Sequence, residues 1–362
     1  MTTAKKPLIG LTLGQLQEVA ASIGLRPFAA KQIARRLYVS RASDISEMTE
    51  LPKAARAALE ENYTVGRTAP RLASRSTDGT VKYLFSTEGY LTRGAGGRDI
   101  EAVYIPDRDR ATLCVSSQAG CRMGCRFCMT GRQGYHGDLS AAGIINQILS
   151  IPDSESLTNI VFMGMGEPMD NVDEVLRAIE ILTAPWGLAW SPKRITVSSI
   201  GKLDGLRRLL DETKVHIAIS VHTPYTAERE GLMPVERAFP LTRVIGLLRD
   251  YDFAHQRRFS AEYIMWRGVN DDMRHADMLA RVLKGTDCRV NLIRFHAIPD
   301  FEGRPATREA MERFRDRLNE LGITATIRAS RGEDIEAACG MLSGEQSAAT
   351  QPTAGQTLQT HE

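Results

Sequence analysis

From residue 111 onward, short apolar runs alternate with amphipathic stretches, and no other feature limits the possible folds as strongly. The apolar runs lie at 112–116, 159–163, 194–198, 215–220, 259–265, 289–295 and 324–328, each of strand length. Between them the spacing predicts helices, among them 141–149, 172–182, 273–283 and 308–321. Repeats of this kind build parallel sheets covered on both faces. Six or seven such units fit an incomplete (β/α) barrel better than a closed eightfold one.

The first 62 residues follow another rule. Leu13, Leu16, Val19 and Ala20 recur at helical spacing behind Thr12, a candidate N-cap. A second helix is expected over 29–38, with Lys31, Arg35 and Arg36 on its polar side, and a third over 53–62. Short strands at 82–86 and 100–105, separated by the glycine-rich turn 94–97, read as a connector. After Leu342 the chain is rich in Ala, Gln, Thr and Gly and nearly devoid of large apolar residues, which predicts disorder.

Charge is uneven. Residues 1–100 hold 15 Lys and Arg against 9 Asp and Glu, whereas the remainder holds 31 against 35. A basic N-terminal piece on a mildly acidic body suggests a polyanionic partner. No apolar run approaches the roughly 20 residues that span a bilayer, and the start lacks the apolar core of a secretory signal. A cytoplasmic protein with no membrane partner is therefore expected.

The distinctive polar and glycine motifs all fall at the C-terminal ends of predicted strands. They are the loop Cys121-Arg122-Met123-Gly124-Cys125-Arg126-Phe127-Cys128, then Gly164-Met165-Gly166-Glu167-Pro168, Ser198-Ser199, Ser220-Val221-His222 and Phe295-His296. In barrel enzymes that end forms the active-site mouth. Three tightly spaced thiolates suit an iron–sulfur cluster with one iron left open; a structural zinc ion would want four ligands. Of the other cysteines, Cys114 and Cys339 read singly as small buried residues, and Cys288 as a structural thiol. Met163 and Met165 read as core, Trp186 and Trp190 as packing, and His136 and His216 as surface or structural groups.

The Cys-x-x-x-Cys-x-x-Cys loop, with Gly166-Glu167-Pro168 after the second barrel strand, resembles the radical S-adenosylmethionine (SAM) superfamily. That resemblance implies a partial (β/α)6 barrel and a 4Fe-4S cluster on Cys121, Cys125 and Cys128, with SAM chelated at the open iron. The wording from Glu101 through Thr112-Leu113-Cys114-Val115-Ser116-Ser117-Gln118 to Ser220-Val221-His222, ending in Arg328-Ala329-Ser330-Arg331-Gly332-Glu333-Asp334, Ala337-Ala338-Cys339-Gly340, narrows it. It resembles the RlmN-type RNA adenine carbon-2 methyltransferases, with Cfr-type carbon-8 enzymes as relatives.

The family pattern implies that Cys339 carries a methyl group, that Cys114 resolves it through a transient disulfide, and that Glu101 accepts a proton. It places Gly166, Glu167, Ser198, Ser220, Val221, His222 and His296 against SAM, although His296 stands where many members have Asn. The implied reaction consumes two SAM per turnover on 23S ribosomal RNA, with transfer RNA as a second candidate. Implied partners are an electron donor such as flavodoxin or ferredoxin and a disulfide reductant, acting on a monomer. The competing readings are carbon-8 methylation and a non-catalytic zinc module that binds RNA. The expected division is a helical N-terminal RNA-binding domain over 1–65, a connector over 66–110, the barrel over 111–342 and a tail over 343–362.

Overall fold

The computed structural model describes residues 5–255, 257–338 and 340–342; Cys339 and the predicted tail from residue 343 lie outside the described residues. Strands β1 (Lys6–Pro7) and β2 (Tyr63–Thr64) pair in parallel and close the N-terminal helical unit. Its first helix, Leu13–Ser22, starts at Thr12 with a capping box: Gln15 N–H donates to Thr12 Oγ1 at 3.4 Å, and Thr12 N–H to Gln15 Oε1 at 2.9 Å. Leu16, Val19 and Ala20 are buried, as their spacing predicts. The second helix is α-helical over Ala29–Ala34 and then widens into a π-turn over Arg35–Val39. Tyr38 in that turn is fully buried; its hydroxyl accepts from Gly10 N–H at 3.1 Å and donates to Leu11 O at 2.9 Å.

Tyr38 and Gly10 are among the residues that seat this unit on the main body. The Tyr38 ring lies 6.0 Å from that of Trp186. Gly10 also packs so closely on helix Ala141–Leu149 that a Cβ there would stand 2.2 Å from Ala142 N.

The remaining strands, in chain order, are β3 (Leu72–Arg75), β4 (Val81–Phe85), β5 (Leu91–Arg93), β6 (Ile100–Asp107), β7 (Arg110–Cys114), β8 (Gln118–Gly120) and β9 (Tyr135–Leu139). They continue with β10 (Asn159–Phe162), β11 (Ile195–Ser199), β12 (His216–Ser220), β13 (Phe259–Met265), β14 (Cys288–Arg294) and β15 (Ala325–Ile327). Ten form one sheet in the order β15-β14-β13-β12-β11-β10-β7-β6-β4-β3. From β7 to β15 the pairing is parallel. The order is linear, so the barrel is partial. The strands expected as a connector extend this sheet: β6 pairs antiparallel with β7, from Val103↔Cys114 to Asp107↔Arg110.

Helices 141–149 and 273–283 form as expected. Strand β7 ends two residues early because Ser116 gives both backbone groups to the Gln147 amide, at 2.8 and 3.0 Å. A small sheet, β5-β9-β8, stands beside the cysteine loop. Apolar side chains of the crossover helices cover the strands; Val172–Thr183 alone buries Val175, Leu176, Ala178, Ile179, Ile181 and Leu182.

Thr12→Ala removes one half of the capping box and is expected to cost about 1 kcal/mol. The measurement is a urea titration followed by tryptophan fluorescence, with the midpoint lowered and the slope unchanged.

Candidate active site

The cysteine loop faces the C-terminal ends of β10 to β13 across a cavity of about 150 Å³. Cys121, Cys125 and Cys128 line one side; Gly164, Gly166, Glu167, Ser198, Ser220 and His222 line the other. Backbone hydrogen bonds array the thiols. Cys121 N–H donates to Gly134 O at 2.8 Å, Arg126 N–H to Leu232 O at 3.0 Å, and Cys128 N–H to Cys125 O at 3.2 Å. On the outer side Arg122 Nε is 2.9 Å from Asp170 Oδ2, and its guanidinium lies 3.7 Å from the Tyr135 ring centre.

The opposite wall needs glycine. A Cβ on Gly164 would lie 2.7 Å from Val115 O; Gly166 has φ +99°, and a Cβ there would lie 2.6 Å from Gln118 Cβ. That approach lets Gln118 Oε1 accept from Glu167 N–H at 2.8 Å while Nε2 donates to Asp138 at 2.7 Å and Asp170 at 3.2 Å. The Glu167 carboxylate is buried and accepts from Ser199 Oγ (2.6 Å), Ile200 N–H (3.0 Å) and Met169 N–H (3.1 Å). Burial pushes its pKa up to about 7, against the pull of those donors.

His222 sits in the left-handed region at φ 60°, and its Nδ1 accepts from Ile264 N–H at 3.1 Å. The neutral ring therefore carries its proton on Nε2. Burial, and then the nearby Arg229 charge, draws its pKa down to about 3. Arg229 is fully buried and ion-paired with Glu236. It donates to Ser220 O at 2.9 Å, Val221 O at 3.2 Å and Ile200 O at 3.3 Å, fixing the ends of β11 and β12 together.

Burial raises the Cys121 thiol to about 12 and Cys125 well above the ordinary range, so either group would have to give up its proton to ligate a metal. Among the described residues no three His, Cys, Asp or Glu side chains close on a single-ion site. Three soft sulfur donors bordering a glycine-walled cavity fit a cluster with one open iron better than a closed zinc site.

The other predicted residues lie around this cavity. The Val221 side chain points into the core. His296 lines a neighbouring cavity of about 270 Å³ with Thr112, Arg328, Ala337 and Ala338, its Nε2 3.3 Å from Ser330 Oγ; Ile293 borders both spaces. Cys114 pairs with Val103, two residues along β6 from Glu101, so Cys114 and Glu101 share a sheet face. Gly340, next to Cys339, lines the first cavity, and Ala338, on the other side, the second. Cys288 and Met165 are buried, and Trp186 packs on the core, as expected.

Sequence reasoning missed Lys82, Gln118, Arg229 and Glu262. Lys82 Nζ lies 3.2 Å from Glu101 Oε1, both buried, and each is the only charged side chain in its apolar run. Pairing those two would have been a usable signal. Glu262 lines the first cavity and accepts from Ser260 Oγ and Asn291 Nδ2, each at 2.8 Å.

Comparison with known proteins agrees with this geometry. Residues 115–279 match the radical SAM superfamily, and residues 6–65 match the ribosomal RNA large subunit methyltransferase N-terminal domain. A crystal structure of a radical SAM methyltransferase from Sphaerobacter thermophilus superposes with a TM-score of 0.86 at 38% identity, covering 94% of this chain and 100% of that one. The class is thus a radical SAM methyltransferase, which implies SAM and a 4Fe-4S cluster.

A probable dual-specificity RNA methyltransferase RlmN of Parabacteroides distasonis is 55% identical over 94% of this chain and 97% of its own length. The dual-specificity RNA methyltransferase RlmN of Syntrophobacter fumaroxidans is 40% identical over 92% and 97%. The chain belongs to the RlmN family of radical SAM RNA methyltransferases. Among the described residues no helix is long and apolar enough to cross a membrane.

Glu167→Gln places an amide N–H against a backbone or hydroxyl donor and is expected to cost about 1–3 kcal/mol. Because burial lifts the folded pKa from 4.5 to about 7, folding takes up a proton in that window. The advantage of the native chain over the variant should therefore grow as pH falls from 7 to 4.5. Thermal unfolding of both proteins across that range tests the size and the sign.

Proposed function

We propose that the protein methylates carbon-2 of an adenine in 23S ribosomal RNA, with transfer RNA as a second substrate class, through a methyl group on Cys339 and a transient Cys339–Cys114 disulfide. The observation that carries this reading is the seating of Cys339's neighbours. Gly340 O accepts from Met129 N–H at 2.8 Å, directly behind Cys128, while Ala338 borders the space lined by Thr112 of β7. Thr112 and Cys114 point to the same side of that strand.

Carbon-2 of adenine lies between two ring nitrogens and is too electron-poor to attack the methyl of SAM, whereas a thiolate attacks it readily. Cys339 takes that methyl from one SAM. When bound, the cluster supplies the electron that cleaves a second SAM to methionine and a 5′-deoxyadenosyl radical. The methyl on Cys339 gives a hydrogen atom to that radical, and its carbon adds to carbon-2, joining RNA to protein. The base then loses its carbon-2 proton, to Glu101 or Cys114, and regains its aromatic ring by giving up one electron, for which the cluster, left one electron short by SAM cleavage, would be the acceptor. Lys82 holds the Glu101 carboxylate in place for this role. Cys114 as thiolate attacks the sulfur of Cys339, the released carbon takes up a proton, and a disulfide remains for a cellular reductant. Flavodoxin or ferredoxin suits the one-electron supply.

Around the site, Cys121, Cys125 and Cys128 hold the cluster, and the Gly164–Gly166 wall lets the SAM backbone approach. The neutral His222 offers Nε2–H without adding charge. RNA is met first by the N-terminal unit. Phe28 and Val39 are 58% and 59% exposed, and Lys31 and Arg35 lie between them on the same helical face. An exposed ring for base stacking beside two cations for phosphate is a recurring RNA-binding combination.

Cys339→Ala should load no methyl and form no adduct. Cys114→Ala should load the methyl, add to adenine and stall, accumulating an RNA–protein adduct through Cys339. A denaturing gel with nuclease digestion and peptide mass spectrometry reads the difference; methylated RNA released by Cys339→Ala at the native rate would end this mechanism. Nucleoside mass spectrometry separates 2-methyladenosine from the carbon-8 product.

Lys31→Glu with Arg35→Glu should weaken RNA binding at least about tenfold and flatten its salt dependence. Equal filter-binding affinity for variant and native chain would remove this helix from the interface.

A further inference from the structure

The parallel sheet has a second end, away from the cysteine loop. There the N-terminal residues of the strands, among them Asn159, His216, Phe259 and Cys288, border a cavity of about 980 Å³. Six cations line it: Arg110, Lys193, Arg194, Arg257, Arg258 and Arg289. Two carboxylates, Asp109 and Asp287, oppose them, and all but Arg257 of the cations are exposed.

Charges at strand ends are usually just hydrated, so their pairing decides how to read them. Elsewhere exposed arginines find acids: Arg208 meets Asp173 and Glu212, and Arg308 meets Glu312; the half-buried Arg317 likewise meets Asp277 and Glu320. Among the described residues none of the six cations of this cavity is ion-paired. Arg257 carries the argument further. It is 4% exposed, its Nη2 donates to Leu210 O at 2.8 Å and Thr213 O at 2.6 Å, and its Nη1 has no hydrogen-bond partner among the described residues. A buried guanidinium with no ion-pair contact, offset only by the fields of Tyr251 and Asp211, is costly unless an anion lies nearby. His216, whose Nδ1 accepts from Arg258 N–H at 2.8 Å, registers the same field: burial first, then Arg258 and Lys193, lower its pKa.

We propose that this basic floor binds the phosphodiester backbone of the RNA substrate, as a second contact separate from the N-terminal helix face. The inference rests on the RNA methyltransferase reading above. Strand β13 has seven residues, so floor and mouth stand roughly 20 Å apart. The nucleotides held at the floor are therefore not the one modified, and the contact adds affinity without reading sequence.

The test compares two triple variants of the full chain with the native protein. One carries Lys193→Gln, Arg194→Gln and Arg258→Gln at the floor; the other carries Arg237→Gln, Arg308→Gln and Arg315→Gln, removing the same charge from paired positions elsewhere. Binding of protein-free 23S ribosomal RNA and of unfractionated transfer RNA is measured by filter retention over a series of potassium chloride concentrations. The floor triple should lose at least about tenfold in affinity at low salt, and its slope against log salt should fall by about 3. The control triple should keep both.

Ultraviolet cross-linking of the native complex, independent of how any variant folds, should place RNA on peptides containing residues 193–194 and 257–258. Native affinity and slope in the floor triple, equal losses in both triples, or cross-links confined to the N-terminal unit and the mouth would each overturn the proposal. If the native protein neither binds nor methylates either RNA, the RNA reading itself falls, a result that no difference between the triples could mimic.

Discussion

One side-chain amide organises the site. Gln118 is fully buried at the start of β8, accepting from Glu167 N–H and donating to Asp138 and Asp170. Asp170 then holds Arg122 of the cysteine loop and Lys202 beyond β11, and Asp138 holds Arg93 of β5. The cysteine loop, the glycine wall and the small flanking sheet thus share one satisfied polar network. Such networks fix geometry when every member is paired. Glutamate could not replace Gln118, because it would lose the two donated bonds and add a third acid.

Buried charge is used in the same way around the mouth. Arg229 with Glu236, and Lys82 with Glu101, are buried ion pairs in which loss of one partner alone would strand the other charge away from water. Their value is positional. Arg229 spends its donors on three carbonyls at the ends of β11 and β12, where a methylene chain would leave those carbonyls unpaired.

The repeating pattern after residue 111 was legible because strand and helix periodicity report local burial, and buried strands such as β13 carry it plainly. The cysteine loop was legible because three thiols in eight residues have few uses. What stayed hidden depends on distant partners. The π-turn at Arg35–Val39 accompanies the burial of Tyr38 against Gly10 and Leu11, which no local propensity reports. The family pattern aims Glu167 at SAM, yet its carboxylate is engaged by Met169, Ser199 and Ile200, leaving the backbone of the Gly166 turn as the more accessible polar surface. His296 follows the sixth parallel strand as predicted, but the side chain faces the neighbouring cavity.

The loop that follows Cys128 also holds the far end of the barrel. Met129 N–H donates to Gly340 O, and Thr130 Oγ1 to Leu342 O at 2.7 Å, across more than two hundred residues. This clasp joins the two ends of the barrel sequence into one mechanical unit. A disturbance of the loop at Met129 or Thr130 is therefore felt at Gly340 and Leu342, and the reverse.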